Sequence, residues 1–305
     1  MVLKGADYLV ESASSIARRF NTSEIVIGLT IVAFGTSAPE MVVNIISSLA
    51  GNNEIVLGNI IGSNIFNTLL ILGIAGLIYP LKVQRNTARK EIPFNILVLL
   101  IFFFIANDWI LFPSSSNMIS RLDGLILLVL FAGFVYYTYM LSKSKTFYAS
   151  KNKTLAPLKT WIFLVLGLVG LLVGGKIVVD TAVSIARQLK VSEKLIALTI
   201  ISMGTSLPEL ATSAVAAYKK RPDLAIGNVI GSNIFNLLMI LGFSAEISPL
   251  KYNLIFNFDL AIFGLAMLIL FLSMFTFKAN KLDRVEALFL VLVYTGYLVY
   301  IIVRK

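Results

Sequence analysis

The chain has 305 residues, of which 58% are hydrophobic and only 14% charged, and it carries a net charge of +10 with no cysteine and no histidine. Soluble domains carry about 25% charged residues, so this composition cannot cover a water-facing surface. It excludes a soluble enzyme or a nucleic-acid binder, and the basic excess instead fits the cytoplasmic loops of a membrane protein. The missing residue types also exclude disulfides, thiol nucleophiles, Cys/His zinc sites, haem attachment and histidine proton relays. Chemistry is left to carboxylates, hydroxyls, amides and backbone carbonyls.

A helix crossing a core of about 30 Å needs about 20 mostly apolar residues. The first segment, 1–20, is short of apolar residues and carries Lys4, Asp7, Glu11, Arg18 and Arg19. It has no compact apolar run followed by a small-residue cleavage site, so it does not read as a signal peptide. Apolar stretches then follow at 24–50, 55–79, 92–111, 122–142, 159–186, 193–217, 224–247, 254–277 and 285–303.

An internal repeat organises these stretches. Residues 28–67 align with 197–236 at a constant offset of 169 without a gap, and 17 of the 40 positions are identical. The first copy holds GTSAPE (35–40) and GNIIGSNIFN (58–67), and the second holds GTSLPE (204–209) and GNVIGSNIFN (227–236). The match extends upstream, where 12–24 aligns with 181–193 at the same offset, and it returns near the ends of the halves, where RLD (121–123) resembles KLD (281–283) at an offset of 160. Met1 aligns with Gly170, inside a full apolar span, so 1–20 is expected to be the inner half of a span whose outer half is missing. Counting it gives an all-α polytopic membrane protein of ten spans: a first five-helix repeat (1–142), a linker (143–158) and a second five-helix repeat (159–305). Five is odd, so the second repeat enters the membrane upside down, the inverted-repeat plan of many secondary transporters, whose site lies at the midplane between repeats.

Charge sets the expected orientation. Alternate loops (18–19, 82–90, 143–159, 219–221 and 278–284) hold 17 of the 26 basic residues. These loops are expected in the cytoplasm, with both termini outside and the protein in the cell (inner or plasma) membrane.

GTSAPE and GTSLPE put Glu40 and Glu209 inside apolar segments. A charge at the bilayer centre costs at least about 2.5 kcal/mol, and no basic residue falls at matching depth, so a bound cation is the expected partner. Pro39 and Pro208 lack an N–H and clash with the carbonyl four residues back, loosening carbonyls near Gly35, Thr36, Gly204 and Thr205, and such carbonyls are tolerated where they line a cavity. Helical spacing places Ala33, Thr36, Ser37 and Glu40 along one side, and Ser202, Thr205, Ser206 and Glu209 along the equivalent side. These are hard oxygen ligands, suited to Ca²⁺ or Na⁺. Asn59, Ser63 and Asn67, with Asn228, Ser232 and Asn236, recur every four residues and offer neutral oxygens, which serve packing or ligation equally well. Gly58 and Gly62, with Gly227 and Gly231, form small-xxx-small patterns that let helices approach closely. The remaining acidic residues, among them Asp7, Glu11, Glu91, Asp108, Asp123, Asp180, Glu246, Asp259, Asp283 and Glu286, are expected to be solvated or interfacial.

The paired GTSxPE and GNxxGSNxFN motifs in inverted five-helix repeats resemble the α-repeats of the cation/Ca²⁺ exchanger superfamily, and the chain looks like a prokaryotic sodium/calcium exchanger-type antiporter. The resemblance implies that Glu40 and Glu209 coordinate Ca²⁺ together with backbone carbonyls of Thr36 and Thr205. It implies that the same cluster alternatively holds several Na⁺, with Ala33, Ser37, Ser63, Ser202, Ser206 and Ser232 completing flanking Na⁺ sites. Asn67 and Asn236 would occupy the remaining central positions. Potassium-dependent relatives, and some archaeal ones, carry Asp at the position of Asn236, so Asn argues only mildly against K⁺ dependence. The resemblance also implies that spans one and six slide against the rest. The linker leaves no room for a large regulatory domain.

The expected function is antiport of Ca²⁺ against Na⁺ by alternating access, with the lipid bilayer as surroundings and no cofactor, nucleic acid or obligate protein partner. The closest alternative keeps the fold and uses H⁺ as counter-ion, since protonating both glutamates also neutralises the site. A passive cation channel needs a continuous pore, which a repeat within one chain does not suggest. An intramembrane enzyme lacks a nucleophile–base pair.

Overall fold

The computed structural model describes residues 1–84, 86–111, 117–143, 154–190, 202–275 and 280–303. Among the described residues, the main helices are α1 (Val2–Arg19), α2 (Glu24–Thr36), α3 (Ala38–Leu49), α4 (Asn53–Ile78), α5 (Ile92–Ala106), α6 (Arg121–Ser142), α7 (Pro157–Gln188), α8 (Ser202–Thr205), α9 (Leu207–Tyr218), α10 (Pro222–Ile247), α11 (Phe256–Ser273) and α12 (Arg284–Val303). Six of them are long and apolar enough to cross a membrane, and the bent pair α2–α3 makes a seventh. The other expected spans fall short for separate reasons. α1 carries five charges in its 18 residues, and α5 continues directly from a wide turn, Thr87–Glu91, that carries Arg89, Lys90 and Glu91. The first part of the 193–217 stretch, 193–201, lies outside the described residues.

The bundle places its polar helices at the centre and its apolar ones outside. The apolar window of α10 is 100% buried and that of α4 is 78% buried, whereas those of α6, α7, α11 and α12 are only 22–33% buried. The outer helices show Leu, Val and Ile side chains on their free faces, as in Val129, Val165, Leu268 and Leu292. Such faces match hydrocarbon.

Sequence signals set the helix ends. Ser120 and Asp123 form a reciprocal capping box at α6, satisfying two donors that the first turn otherwise leaves unpaired. Pro157 and Pro222 open α7 and α10, where the missing N–H costs nothing. Asp283 takes the cap position of α12, its N–H donating to Glu286 Oε2 at 3.0 Å. This corrects the alignment near the ends of the halves. Ser120 and Asp123 correspond to Asp283 and Glu286, an offset of 163, and RLD and KLD are not equivalent turns.

The backbone repeats its irregularities at the offset of 169. Left-handed residues recur at Asn21 and Lys190, and at Gly51 and Lys220. Wide π-helical turns recur at Phe66–Ile71 and Phe235–Ile240. Two short antiparallel ladders join the halves crosswise: β1 (Leu81–Lys82) pairs with β4 (Lys281–Leu282), and β2 (Met118–Ile119) pairs with β3 (Leu250–Lys251).

Glycines set the closest crossings. A Cβ on Gly227 would stand 2.7 Å from the Ile25 carbonyl oxygen, and one on Gly231 2.7 Å from Ala33 Cβ, so α10 meets α2 backbone to backbone. A Cβ on Gly5 would stand 2.8 Å from Leu171 N, which fixes an equally close crossing of α1 and α7. The small-residue pattern of the second motif therefore serves to bring a carboxylate-bearing segment against its partner helix.

Candidate cation site

The site is built where two broken helices meet. α2 and α3 are bent by 48° at Ser37, and Pro39 is the second residue of α3. α8 and α9 break equivalently at Ser206, with Pro208 as the second residue of α9. Proline fits a first turn but not a helix interior, so each GTSxPE motif ends one helix and starts another. Ala33, Thr36, Ser37 and Glu40 therefore do not lie along one straight helix face. The break turns Ser37 and Ser206 away from their own glutamates and toward each other's.

The two halves exchange hydrogen bonds at this point. The Ser206 hydroxyl donates to Glu40 Oε1 at 2.7 Å, and the Ser37 hydroxyl donates to Glu209 Oε1 at 2.9 Å. The Ser232 hydroxyl lies 3.4 Å from the same Glu209 oxygen. Glu40 is 1% exposed and Glu209 0% exposed. Among the described residues, no basic side chain pairs with either carboxylate. Glu40 Oε2 and Glu209 Oε2 are buried without a hydrogen-bond partner.

The asparagines behave in the same crossed way. Asn67 Nδ2 donates to Asn233 Oδ1 at 3.2 Å, and Asn236 Nδ2 donates to Asn64 Oδ1 at 3.1 Å. Asn67 Oδ1 and Asn236 Oδ1 are buried and unpartnered. Each residue thus spends its amide nitrogen on packing and keeps its oxygen open. Ser63 is fully buried, and its hydroxyl is also unpartnered. The wide turns that begin at Phe66 and Phe235 contain Asn67 and Asn236, and such turns are common at functional sites.

The threonines are used differently in the two motifs. Thr36 is fully buried and its hydroxyl lies 3.0 Å from Asn228 Oδ1, while Thr205 is half-buried with its hydroxyl 3.3 Å from Asn59 Oδ1. The Ala33 carbonyl accepts the Ser37 N–H at 2.9 Å and lies 3.3 Å from the Thr36 hydroxyl. The Ser202 backbone lies in α8, and its side chain lies outside the described residues.

Sequence reasoning did not select Asn64 and Asn233, although both copies of GSN display them. Nor did it select Asn44, whose Nδ2 donates to the Glu40 carbonyl at 2.7 Å, or Thr68, which accepts from Asn233 Nδ2 at 2.8 Å. Two acidic residues expected at the membrane boundary are buried instead. Glu91 accepts the Tyr137 hydroxyl, and Asp259 accepts the Tyr297 hydroxyl at 3.0 Å. A tyrosine on a neighbouring helix lets a carboxylate stay inside at low cost, a contact that no local pattern announces.

Among the described residues, the two carboxylates have no basic partner, and their unpartnered oxygens, the amide oxygens of Asn67 and Asn236 and the Ser63 hydroxyl are oxygen atoms of the kind that suits a hard cation. The chain matches the sodium/calcium exchanger protein family over residues 1–140 and 159–303. It belongs to that family. It is 37% identical over 310 residues to the putative antiporter CaxA of Alkalimonas amylolytica, covering 97% of this chain and 94% of that one. It is 31% identical over 334 residues to the sodium/calcium exchanger MaX1 of Methanosarcina acetivorans, covering 98% and 94%. Its fold matches the solved structure of the sodium–calcium exchanger NCX_Mj soaked with Na⁺ and Sr²⁺ at a TM-score of 0.81 and 33% identity, covering 97% of this chain and 93% of that one. The chain is accordingly a membrane protein of an ion-antiporter family.

Proposed function

We propose that this exchanger exchanges Ca²⁺ for Na⁺ across the cell membrane by alternating access, with Glu40 and Glu209 as the shared binding centre. The observation that carries the reading is the pair of unpartnered carboxylate oxygens, Glu40 Oε2 and Glu209 Oε2, buried like the unpartnered oxygens of Asn67 and Asn236. Two ionised glutamates give the site a charge of about −2. One Ca²⁺ balances it, and so do two or more Na⁺. The two ions compete for one set of oxygens, so they cannot fill it together. Two buried, uncompensated carboxylates are costly, and this disfavours switching without cargo. Exchange follows from that penalty.

In this reading Ca²⁺ is held by Glu40, Glu209 and the backbone carbonyls of Thr36 and Thr205. Na⁺ takes the same carboxylates with Ala33, Ser37, Ser63, Ser202, Ser206 and Ser232, while Asn67 and Asn236 fill the centre. The chain is two inverted five-helix repeats, 1–142 and 159–305, joined by a cytoplasmic linker, with both termini outside. Contacts at one end of the bundle support this arrangement: Arg19 reaches the Leu155 carbonyl at 3.0 Å, Gln84 reaches Asp223 at 2.7 Å, and Arg221 pairs with Glu24 at 2.5 Å. These residues belong to loops that the charge count puts on one side.

The test is ⁴⁵Ca²⁺ uptake into proteoliposomes loaded with Na⁺, with K⁺-loaded vesicles and an imposed pH gradient as controls. Uptake is expected to require internal Na⁺ and to vanish in Glu40→Gln and Glu209→Gln. Uptake driven by the pH gradient alone replaces Na⁺ with H⁺ as counter-ion, and uptake that persists in both variants removes the glutamates from the site.

A further inference from the structure

Lys219 follows the last residue of α9, the helix whose first turn carries Glu209. Its ammonium reaches back to α1, lying 2.5 Å from Asp7 Oδ1 and 2.9 Å from Glu11 Oε1. Asp7 and Glu11 are one turn apart on α1, so one lysine closes against both. Burial opposes the charge, yet the hydrogen bonds that its ammonium donates to Asp7 and Glu11 hold the Lys219 pKa above its ordinary value. The pair is a genuine attachment between the two helices.

The offset of 169 exposes what is unusual about it. Asp7 aligns with Lys176, Glu11 with Asp180, and Lys219 with Ala50. The other half therefore cannot make the contact: its acceptor pair has become a lysine and an aspartate, both exposed, and its donor has become a methyl group. In a carrier made of two related halves, the two end states differ in which half takes which arrangement. A contact available to only one half is then made in only one state. Such a contact shifts the balance between states, because only a difference in interaction energy can do so.

We propose that Lys219 with Asp7 and Glu11 is a one-sided latch, closed in the conformation described above and open in the other, that ties α1 to the helix carrying Glu209. The proposal rests on the alternating-access reading of the site. Lys219 acts as a positioning residue: it touches no ion, and it sets how often the chain leaves this conformation.

The absence of cysteine makes the test clean. Leu3 on α1 and Tyr218 on α9 are 72% and 78% exposed, so Leu3→Cys with Tyr218→Cys accepts spin labels for distance measurement by pulsed electron resonance. Lys219→Ala in this background is expected to raise the population at the second distance about threefold or more, the scale of one partly exposed ion pair, and Lys219→Arg to restore the original distribution. Identical distributions in all three proteins overturn the latch. A flux measurement adds the dynamic side. Glu11→Cys with Lys219→Cys, joined by a short reducible thiol cross-linker, is expected to lose Ca²⁺ exchange at least tenfold and to regain it on reduction. Full exchange in the cross-linked protein shows a contact that never opens and also overturns the proposal. Absence of Ca²⁺ flux in the unmodified chain counts against the proposed cargo, whereas the distance distributions read the latch without any ion.

Discussion

Glu40 and Glu209 receive the same serine from the opposite motif, but the shells behind them differ. Behind Glu209 the polar groups close on one another: Thr36 reaches Asn228 at 3.0 Å, Asn228 Nδ2 donates to Ser213 at 3.0 Å, and Ser232 turns to the carboxylate at 3.4 Å. Behind Glu40 the arrangement is different, and Asn44 Nδ2 donates to the Glu40 carbonyl at 2.7 Å. Asn59 Nδ2 and Ser63 Oγ are buried and unpartnered, and Thr205 is half-buried. The same residue types thus carry unpartnered atoms behind Glu40 and partnered ones behind Glu209. In the alternating-access reading proposed above, such an inequality is expected, because the two halves take different arrangements when the site faces one side.

The largest expected effect tests whether the inequality reaches the ions themselves. Losing one charged partner from a buried, hydrogen-bonded pair costs about 2–5 kcal/mol, and each 1.4 kcal/mol is about tenfold in affinity. Glu40→Gln and Glu209→Gln are therefore both expected to weaken Ca²⁺ binding by a factor of about 30 or more, measured by calorimetry on the purified protein. A large loss in one variant and none in the other would falsify the idea of a shared site.

The next effect separates the two shells. Asn228→Ala removes the partner of Thr36 and Ser213 in a fully buried place, and leaving buried groups unpaired costs about 1–3 kcal/mol. Asn59→Ala removes one contact at 3.3 Å from a residue whose amide nitrogen is already unpartnered, and it is expected to cost less than about 1 kcal/mol. Thermal unfolding in detergent should rank the variants in that order, and equal shifts would break the comparison. A separate effect concerns the turns that follow α3 and α9. Gly51 and Lys220 occupy equivalent left-handed positions with φ of 72° and 57°. A side chain there costs about 1–2 kcal/mol, so Gly51→Ala should lower the unfolding temperature and Lys220→Gly should raise it.

Much of the architecture was legible because the chain states it twice. The motif offset of 169 carries over into left-handed residues, wide turns and helix breaks, since local backbone choices follow local sequence. Proline, serine and glycine at fixed places prescribe a break wherever the helix lies. The helix breaks also explain what was misread. A spacing argument on a straight helix gave each Glu its own serine, whereas the bend hands each serine to the other half.

The sequence by itself determined the membrane setting, the repeat, the two buried carboxylates and the oxygen character of their neighbours, because these depend on composition and short-range pattern. Only the tertiary structure decided the crossed pairing of Ser37 with Glu209 and Ser206 with Glu40, the burial of Glu91 and Asp259 against tyrosines, and the reach of Lys219 to Asp7 and Glu11. Each of these joins residues 38 to more than 200 positions apart, and no local propensity specifies such partners. They are fixed by which helices the glycine crossings bring together, and by the cost of leaving a buried polar group without a partner.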